Sequence, residues 1–307
     1  MSLIESTPVS RRRLVLSLRA LMVAVLVVGG FLGWLMHQAR VKRNAVAAID
    51  RSGGRAFYDW QLGPVGNLAT NPRSPGPRWL VDPVGAEFFG DADVGALEPL
   101  TNLVSLRIRG SRLTDAGMAR LSGLTRLTLL DVSSAPITAA GLKALGKLDR
   151  RSRLFLDETK VDDLTPLAQL PSLSMVVLGK TPLTDAGLAS AVELRSLTGL
   201  ILRETAISDA GLAHLANVTT LTSLNLSGTK ITDAGLAQLA NLPRLRSLIL
   251  TSTAVTDAGL VALARMRSLQ TVNLKGTRTT DAAVAELKKS RPNLDLQSPP
   301  GLGANPR

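Results

Sequence analysis

The feature that most constrains this chain is a short unit recurring at a fixed spacing. Residues 103–118 read LVSLRIRGSRLTDAGM, 197–212 LTGLILRETAISDAGL, 221–236 LTSLNLSGTKITDAGL and 245–260 LRSLILTSTAVTDAGL. Eight units follow one another. Their second strand position falls at Leu106, Leu130, Leu154, Val176, Leu200, Leu224, Leu248 and Val272. Every step is 24 residues except that from Leu154 to Val176, which is 22. The short step lies in unit three, which reads VDDLTPLAQL and lacks the helix-start glycine. Self-similarity at this period predicts a stack of small structural units rather than separate globular domains.

Each position of the unit has a physical reason. The Leu-x-Leu core alternates with period two, as a strand with one buried face does. Thr-Asp then opens a helix, where Thr232 or Asp233 accepts hydrogen bonds from free N–H groups of the first turn. Leu236 and Leu239 lie three apart, on one helical face. A fully buried Leu contributes about 1.5–3 kcal/mol. Ordering entropy largely offsets the few leucines of one unit, so the stack folds and the single unit does not. The expected fold class is α/β: a solenoid with parallel strands on the concave face and short helices behind. Leu294-Asp295-Leu296 is a candidate truncated strand closing the array.

The consensus LxxLxLxxTxITDAGLAxLAxL resembles the leucine-rich repeat, with Thr where many members have Asn or Cys. The TDAGL helix start is closest to the cysteine-containing subtype, and the resemblance covers residues 94–296. A basic start, an apolar run, a Gly/Pro spacer and TDAGL repeats together resemble bacterial membrane-anchored repeat proteins. The resemblance implies binding of a protein or peptide on the concave strand face. Eukaryotic relatives of the subtype serve as ubiquitin-ligase substrate adapters. That role is an alternative here, although nothing in the sequence resembles their F-box segment.

Outside the repeats, the N-terminus is the informative region. Arg11, Arg12 and Arg13 end a basic tail at residues 1–13 and precede the uncharged run Ala20–Met36. Its 17 residues cover about 25 Å as a helix, against about 30 Å for a bilayer core. Residues 14–37 supply the missing length if Arg19 snorkels to the headgroups. A single membrane-spanning helix is therefore expected there, with Trp34 as an interfacial anchor. A cleaved signal ending at Ala45-Val46-Ala47 and a twin-arginine export motif at Ser10–Leu14 are the competing readings. Arginines flank both ends of the run, so the side on which the repeats lie is undecided, with a slight preference for outside the cytoplasm. Residues 38–93 read as a basic helix, a candidate isolated strand at 55–61, a Gly/Pro-rich spacer and an N-terminal cap. Trp79, Leu80, Val84, Phe88 and Phe89 begin that cap. Residues 297–307 read as a disordered tail.

On the strands, residues flanking the buried leucines point outward. The middle outward column runs Arg107, Asp131, Phe155, Val177, Ile201, Asn225, Ile249, Asn273. Three adjacent apolar residues, Phe155, Val177 and Ile201, have Leu129 and Met175 beside them, and Ile249 lies further along. Such a patch points to a protein partner, although strand propensity alone also accounts for β-branched residues there. Arg107, Arg109, Arg153 and Arg203 add positive charge that suits an acidic partner. The alternative is a passive envelope or scaffold component without a specific ligand.

Composition sharpens what to exclude. The chain has no cysteine and two histidines, which removes disulfides, thiolate sites and most zinc chemistry. The net charge of +12 is spread along the chain, and aromatics are only 3% of residues. Basic residues without interleaved aromatics argue against nucleic acid. Asp115, Asp185, Asp209, Asp233, Asp257 and Asp281 recur in register, as a calcium ladder would, but helix capping explains them without an ion, and Ala139 interrupts the row. His214 has no partner in the pattern, and no nucleophile elbow or phosphate loop occurs. No cofactor and no enzymatic activity are expected.

Overall fold

The computed structural model describes residues 18–51, 56–58, 79–81, 90–145 and 152–297. The chain divides into two compact units, Met1–Asn44 and Ala45–Arg307. The first 13 residues, Val84, Phe88, Phe89, most of the Gly/Pro spacer and the tail beyond Gln297 lie outside the described residues.

Helix α1 (Leu18–Arg51) is one continuous helix of 34 residues. It joins the apolar run and the basic segment, which the sequence reads as two elements, because no Gly or Pro interrupts the junction at Met36–Arg40. Its described side chains begin at Leu26. Among the described residues, no helix is long and apolar enough to cross a membrane.

The sheet has eleven strands in sequential order. β1 (Ala56–Tyr58) pairs antiparallel with β2 (Trp79–Val81), so the segment expected to form an isolated strand belongs to the sheet. β2 pairs parallel with β3 (Leu103–Arg107), which places backbone from the cap region over the first unit. The parallel strands continue as β4 (Leu129–Asp131), β5 (Ser152–Phe155), β6 (Leu173–Val177) and β7 (Gly199–Ile201). They end with β8 (Ser223–Asn225), β9 (Ser247–Ile249), β10 (Thr271–Asn273) and β11 (Asp295–Gln297). Leu106, Leu130, Leu154, Val176, Leu200, Leu224, Leu248, Val272 and Leu296 pair in register, so the predicted column of strand residues is continuous and β11 closes it. Along this column the register slips once, between Ser152 and Arg153, at the short unit.

Behind the sheet run α2 (Asp91–Val94), α3 (Asp115–Arg120), α4 (Ala139–Leu142) and α5 (Asp209–Leu215). They are followed by α6 (Asp233–Leu239), α7 (Asp257–Arg265) and α8 (Asp281–Ser290). Units three and four carry 3₁₀ helices instead, Thr165–Gln169 and Ala186–Glu193. The core between the two layers is almost wholly aliphatic, with Leu106, Leu130, Leu154 and Leu200 at most 1% exposed.

After each strand the chain turns through a residue with positive φ. It is Gly110, Ser134, Glu158, Lys180, Glu204, Gly228, Ser252 or Gly276, one per unit. The next position is the recurrent Thr. In units three to eight its hydroxyl donates to the carbonyl three residues back, as Thr205 does to Leu202 at 2.7 Å and Thr229 to Leu226 at 2.6 Å. The recurrent Thr thus satisfies a buried turn carbonyl.

The TDAGL motif has a division of labour that the sequence does not show. The hydroxyl of Thr114, Thr138, Ser208, Thr232 and Thr256 caps its own helix, accepting from the N–H two residues on. The aspartate does not cap. Asp209 accepts from the backbone N–H of Thr232 at 2.8 Å and from its hydroxyl at 2.5 Å, reaching into the next unit. Asp91, Asp115, Asp185, Asp233 and Asp257 do the same to Thr114, Thr138, Ser208, Thr256 and Thr280. The glycine makes room for this bridge: a Cβ at Gly117, Gly141, Gly211, Gly235 or Gly259 would overlap the preceding unit's aspartate oxygen.

Candidate functional site

The concave strand face carries the residues expected to bind. Register pairing sets Asp131, Phe155, Val177, Ile201 and Asn225 side by side on successive strands. Leu129, Arg153 and Met175 form the neighbouring row. The three apolar strands span about 10 Å at ~4.8 Å per step.

Their accessibility differs from residue to residue. Phe155, Met175, Ile201 and Ile249 are half-buried. Val177 and Leu129 are buried, at 4% and 5% exposure, so they support the patch more than they present it. Val177 sits between the side chains of two flanking strands and loses its solvent to them. Ile249 stands apart, because Asn225 lies between it and Ile201. Gly199 lies in the Met175 row, where a Cβ would press on the Met175 methyl; its absence leaves that side chain room.

The expected basic residues divide in the same way. Arg107, Arg109 and Arg153 are exposed. Arg203 is instead held within the protein, 3.3 Å from Asp157 and 3.5 Å from Glu204. Asp157 also accepts from the N–H of Gly179 at 2.6 Å. Glu158, one residue on, accepts from the Ser134 hydroxyl at 2.9 Å and lies 3.4 Å from Lys180. The Ser134 hydrogen bond first, then Lys180 by hydrogen bond and charge, with a smaller pull from Arg109, hold the Glu158 carboxyl below its usual range. Units two to five therefore end their strands in a network of polar and charged side chains at the rim of the apolar patch. Sequence reasoning places Arg203 on the binding face but misses this network, whose only signal is the charged residue pairs Asp157-Glu158 and Arg203-Glu204 after strands β5 and β7.

A second set of residues escapes the sequence reading altogether. Arg195, Arg244, Arg246 and Arg267 lie in the loops that precede β7, β9 and β10, and all four are exposed. Their only signal in the sequence is an arginine near the leucine that opens the strand, as in LPRLRSL and MRSLQ.

Comparison with known proteins agrees with the repeat. Residues 124–146, 219–240 and 242–264 match the leucine-rich repeat family. No curated protein matches the chain. Among solved structures, internalin C2 of Listeria monocytogenes strain 4b F2365 is 27% identical, with 59% of this chain and 82% of that chain covered and a TM-score of 0.48. A second internalin of the same strain is 23% identical, with 66% and 77% covered and a TM-score of 0.38.

Proposed function

We propose that this leucine-rich repeat solenoid is a membrane-anchored interaction module that holds a protein or peptide on its concave face. The observation that carries the reading is the row Phe155, Val177, Ile201 in mutual register, where neighbouring strands place Asp131 and Asn225. Half-buried Phe155 and Ile201, with buried Val177 between them and charged Arg153, Asp157 and Glu158 on the Phe155 strand and the turn after it, combine an apolar centre with a charged edge, as protein interfaces do.

Anchoring rests on α1. Leu26, Val27, Val28, Phe31, Leu32, Trp34, Leu35 and Met36 are all exposed, between 48% and 73%. They occupy every side of the helix, which suits lipid and not a solvated amphipathic surface. The apolar run begins upstream of these side chains, at Ala20, and the backbone is helical throughout it. Sodium carbonate washing of membranes tests this: the full chain stays in the pellet and a chain lacking residues 14–36 is released. Release of the full chain refutes the anchor.

The burial of Val177 and Leu129 favours a second reading, a scaffold component whose concave apolar residues satisfy one another. Ile201→Asp and Phe155→Asp separate the two, with an unchanged thermal unfolding midpoint as the control for folding. The interaction reading expects the captured partner to be lost from a pull-down, and the scaffold reading expects no change.

A further inference from the structure

We infer that the edge of the sheet where strands β6 to β11 begin is a groove for an acidic peptide in extended conformation. A cavity of about 730 Å³ opens there, with Arg244, Arg246, Arg267 and Gln270 in its wall. A second, of about 360 Å³, shares Arg244 with it and adds Arg195. Together they run from Ser172, before β6, to Asn293, before β11. Five strand steps of ~4.8 Å make a track of about 24 Å, the length of roughly seven extended residues.

Charge selects the ligand's sign. Among the described residues, no carboxylate lines either cavity. Glu193 and Asp295 are close in sequence, and neither is in the lining. The guanidinium groups of Arg195, Arg244, Arg246 and Arg267 form no hydrogen bond or ion pair with any described residue, while that of Arg291 is spent on five backbone carbonyls, including those of Met266 and Leu269 at 2.9 Å. Four unengaged forks on one edge are a desolvation-cheap match for carboxylates.

The hydroxyl groups between the arginines select the ligand's class. Thr198 donates to Ser174, Thr222 to Thr198, and Ser268 to Leu242, each to a backbone carbonyl, at 3.0, 2.9 and 3.3 Å. Thr220 donates to the Leu197 carbonyl at 2.6 Å. The hydrogens of these four hydroxyls are committed, so toward a ligand their oxygens act as acceptors. A peptide supplies N–H donors to those oxygens and carboxylates to the arginines. A phosphate polymer supplies acceptors alone and leaves the hydroxyl oxygens unmatched. The groove lies along a different edge from the apolar patch, so the inference holds or falls independently of the concave-face reading.

The test is fluorescence anisotropy on the full chain in neutral detergent, with three probes: a labelled peptide of alternating Glu and Ser, its Gln–Ser counterpart, and inorganic polyphosphate as competitor. The acidic peptide binds at least tenfold more tightly than the Gln–Ser peptide, weakens as salt rises, and is displaced less well by polyphosphate than by unlabelled acidic peptide. The variant R244Q/R246Q/R267Q loses at least tenfold in affinity with its thermal midpoint unchanged. If that variant unfolds, Arg195→Glu and Arg267→Glu tested singly must each weaken the acidic peptide. Equal binding of both peptides, tighter binding of polyphosphate, or indifference to the arginine changes overturns the inference.

Discussion

Two boundaries within the same array show what holds the units together. Between units five and six, Asp209 bridges to Thr232 through two hydrogen bonds, and Gly235 leaves the space the carboxylate occupies. Between units two and three the whole set is missing at once. Ala139 stands where the aspartate would be, and unit three has neither the capping Thr nor the glycine. One boundary later the backbone substitutes: the Asp162 carbonyl lies where a Cβ of Gly187 would be, and Leu164 donates to the Gly187 carbonyl at 3.0 Å. Aspartate, glycine and threonine are therefore not three separate features of one unit. They are one connection shared by two units, complete at the interior boundaries with an aspartate and absent where Ala139 replaces it.

The last unit sharpens the point. Ala283 occupies the glycine slot beside Asp257, and the cap adjusts: Thr280 accepts from Ala283, three residues on, where the earlier units use the residue two on. Helix α8 has no further described repeat helix stacked beyond it, so it tolerates a shift that an interior helix, packed on both sides, does not.

The largest expected effect comes from breaking an interior connection. Gly235→Ala drives a Cβ into the Asp209 carboxylate and costs about 2–3 kcal/mol, the scale of hydrogen bonds to a charged group. Asp209→Ala costs a similar amount, and the double variant costs clearly less than the sum, because the Cβ then has no carboxylate to displace. Denaturant unfolding of the four proteins checks this, and strict additivity would contradict the shared connection. Placing an aspartate at the defective boundary should do little: Ala139→Asp changes stability by less than about 0.5 kcal/mol, since unit three offers it no threonine. A gain of more than that would mean that the carboxylate stabilises without its partners.

The smallest effect concerns Glu158, in the irregular unit. Its carboxyl is held below the ordinary value of 4.5 by Ser134, Lys180 and Arg109. The ionised form is the one favoured in the folded protein, so its contribution is fully present above pH 4.5 and fades as pH falls through the lowered folded value. The midpoint advantage over Glu158→Gln, measured between about pH 3 and 7, should shrink on acidification. The group lies at the surface, where solvent screens it, so the advantage is slight.

The sequence reading locates the strand column in every unit, the closing strand and the weak unit, because period and burial alternate in the residues themselves. It assigns the aspartates to capping, since a bond to a residue 23 positions away leaves no local trace. It counts Val177 and Leu129 as exposed, because alternation tells which side of a strand a residue faces and not how closely neighbouring strands crowd it. Arg203 illustrates the same limit: it lies where expected, but Asp157 and Glu204 engage it. The arginine groove is missed because its residues come from loops, where no periodicity marks them.

The concave-face reading is tested most directly by photo-crosslinking in the native membrane. A photoreactive phenylalanine derivative replaces Phe155 in one protein, and Val261, which is 57% exposed on helix α7, in another. The concave-face reading predicts a discrete protein adduct from position 155 and none from position 261. The same adducts from both positions, or none from position 155, would contradict it.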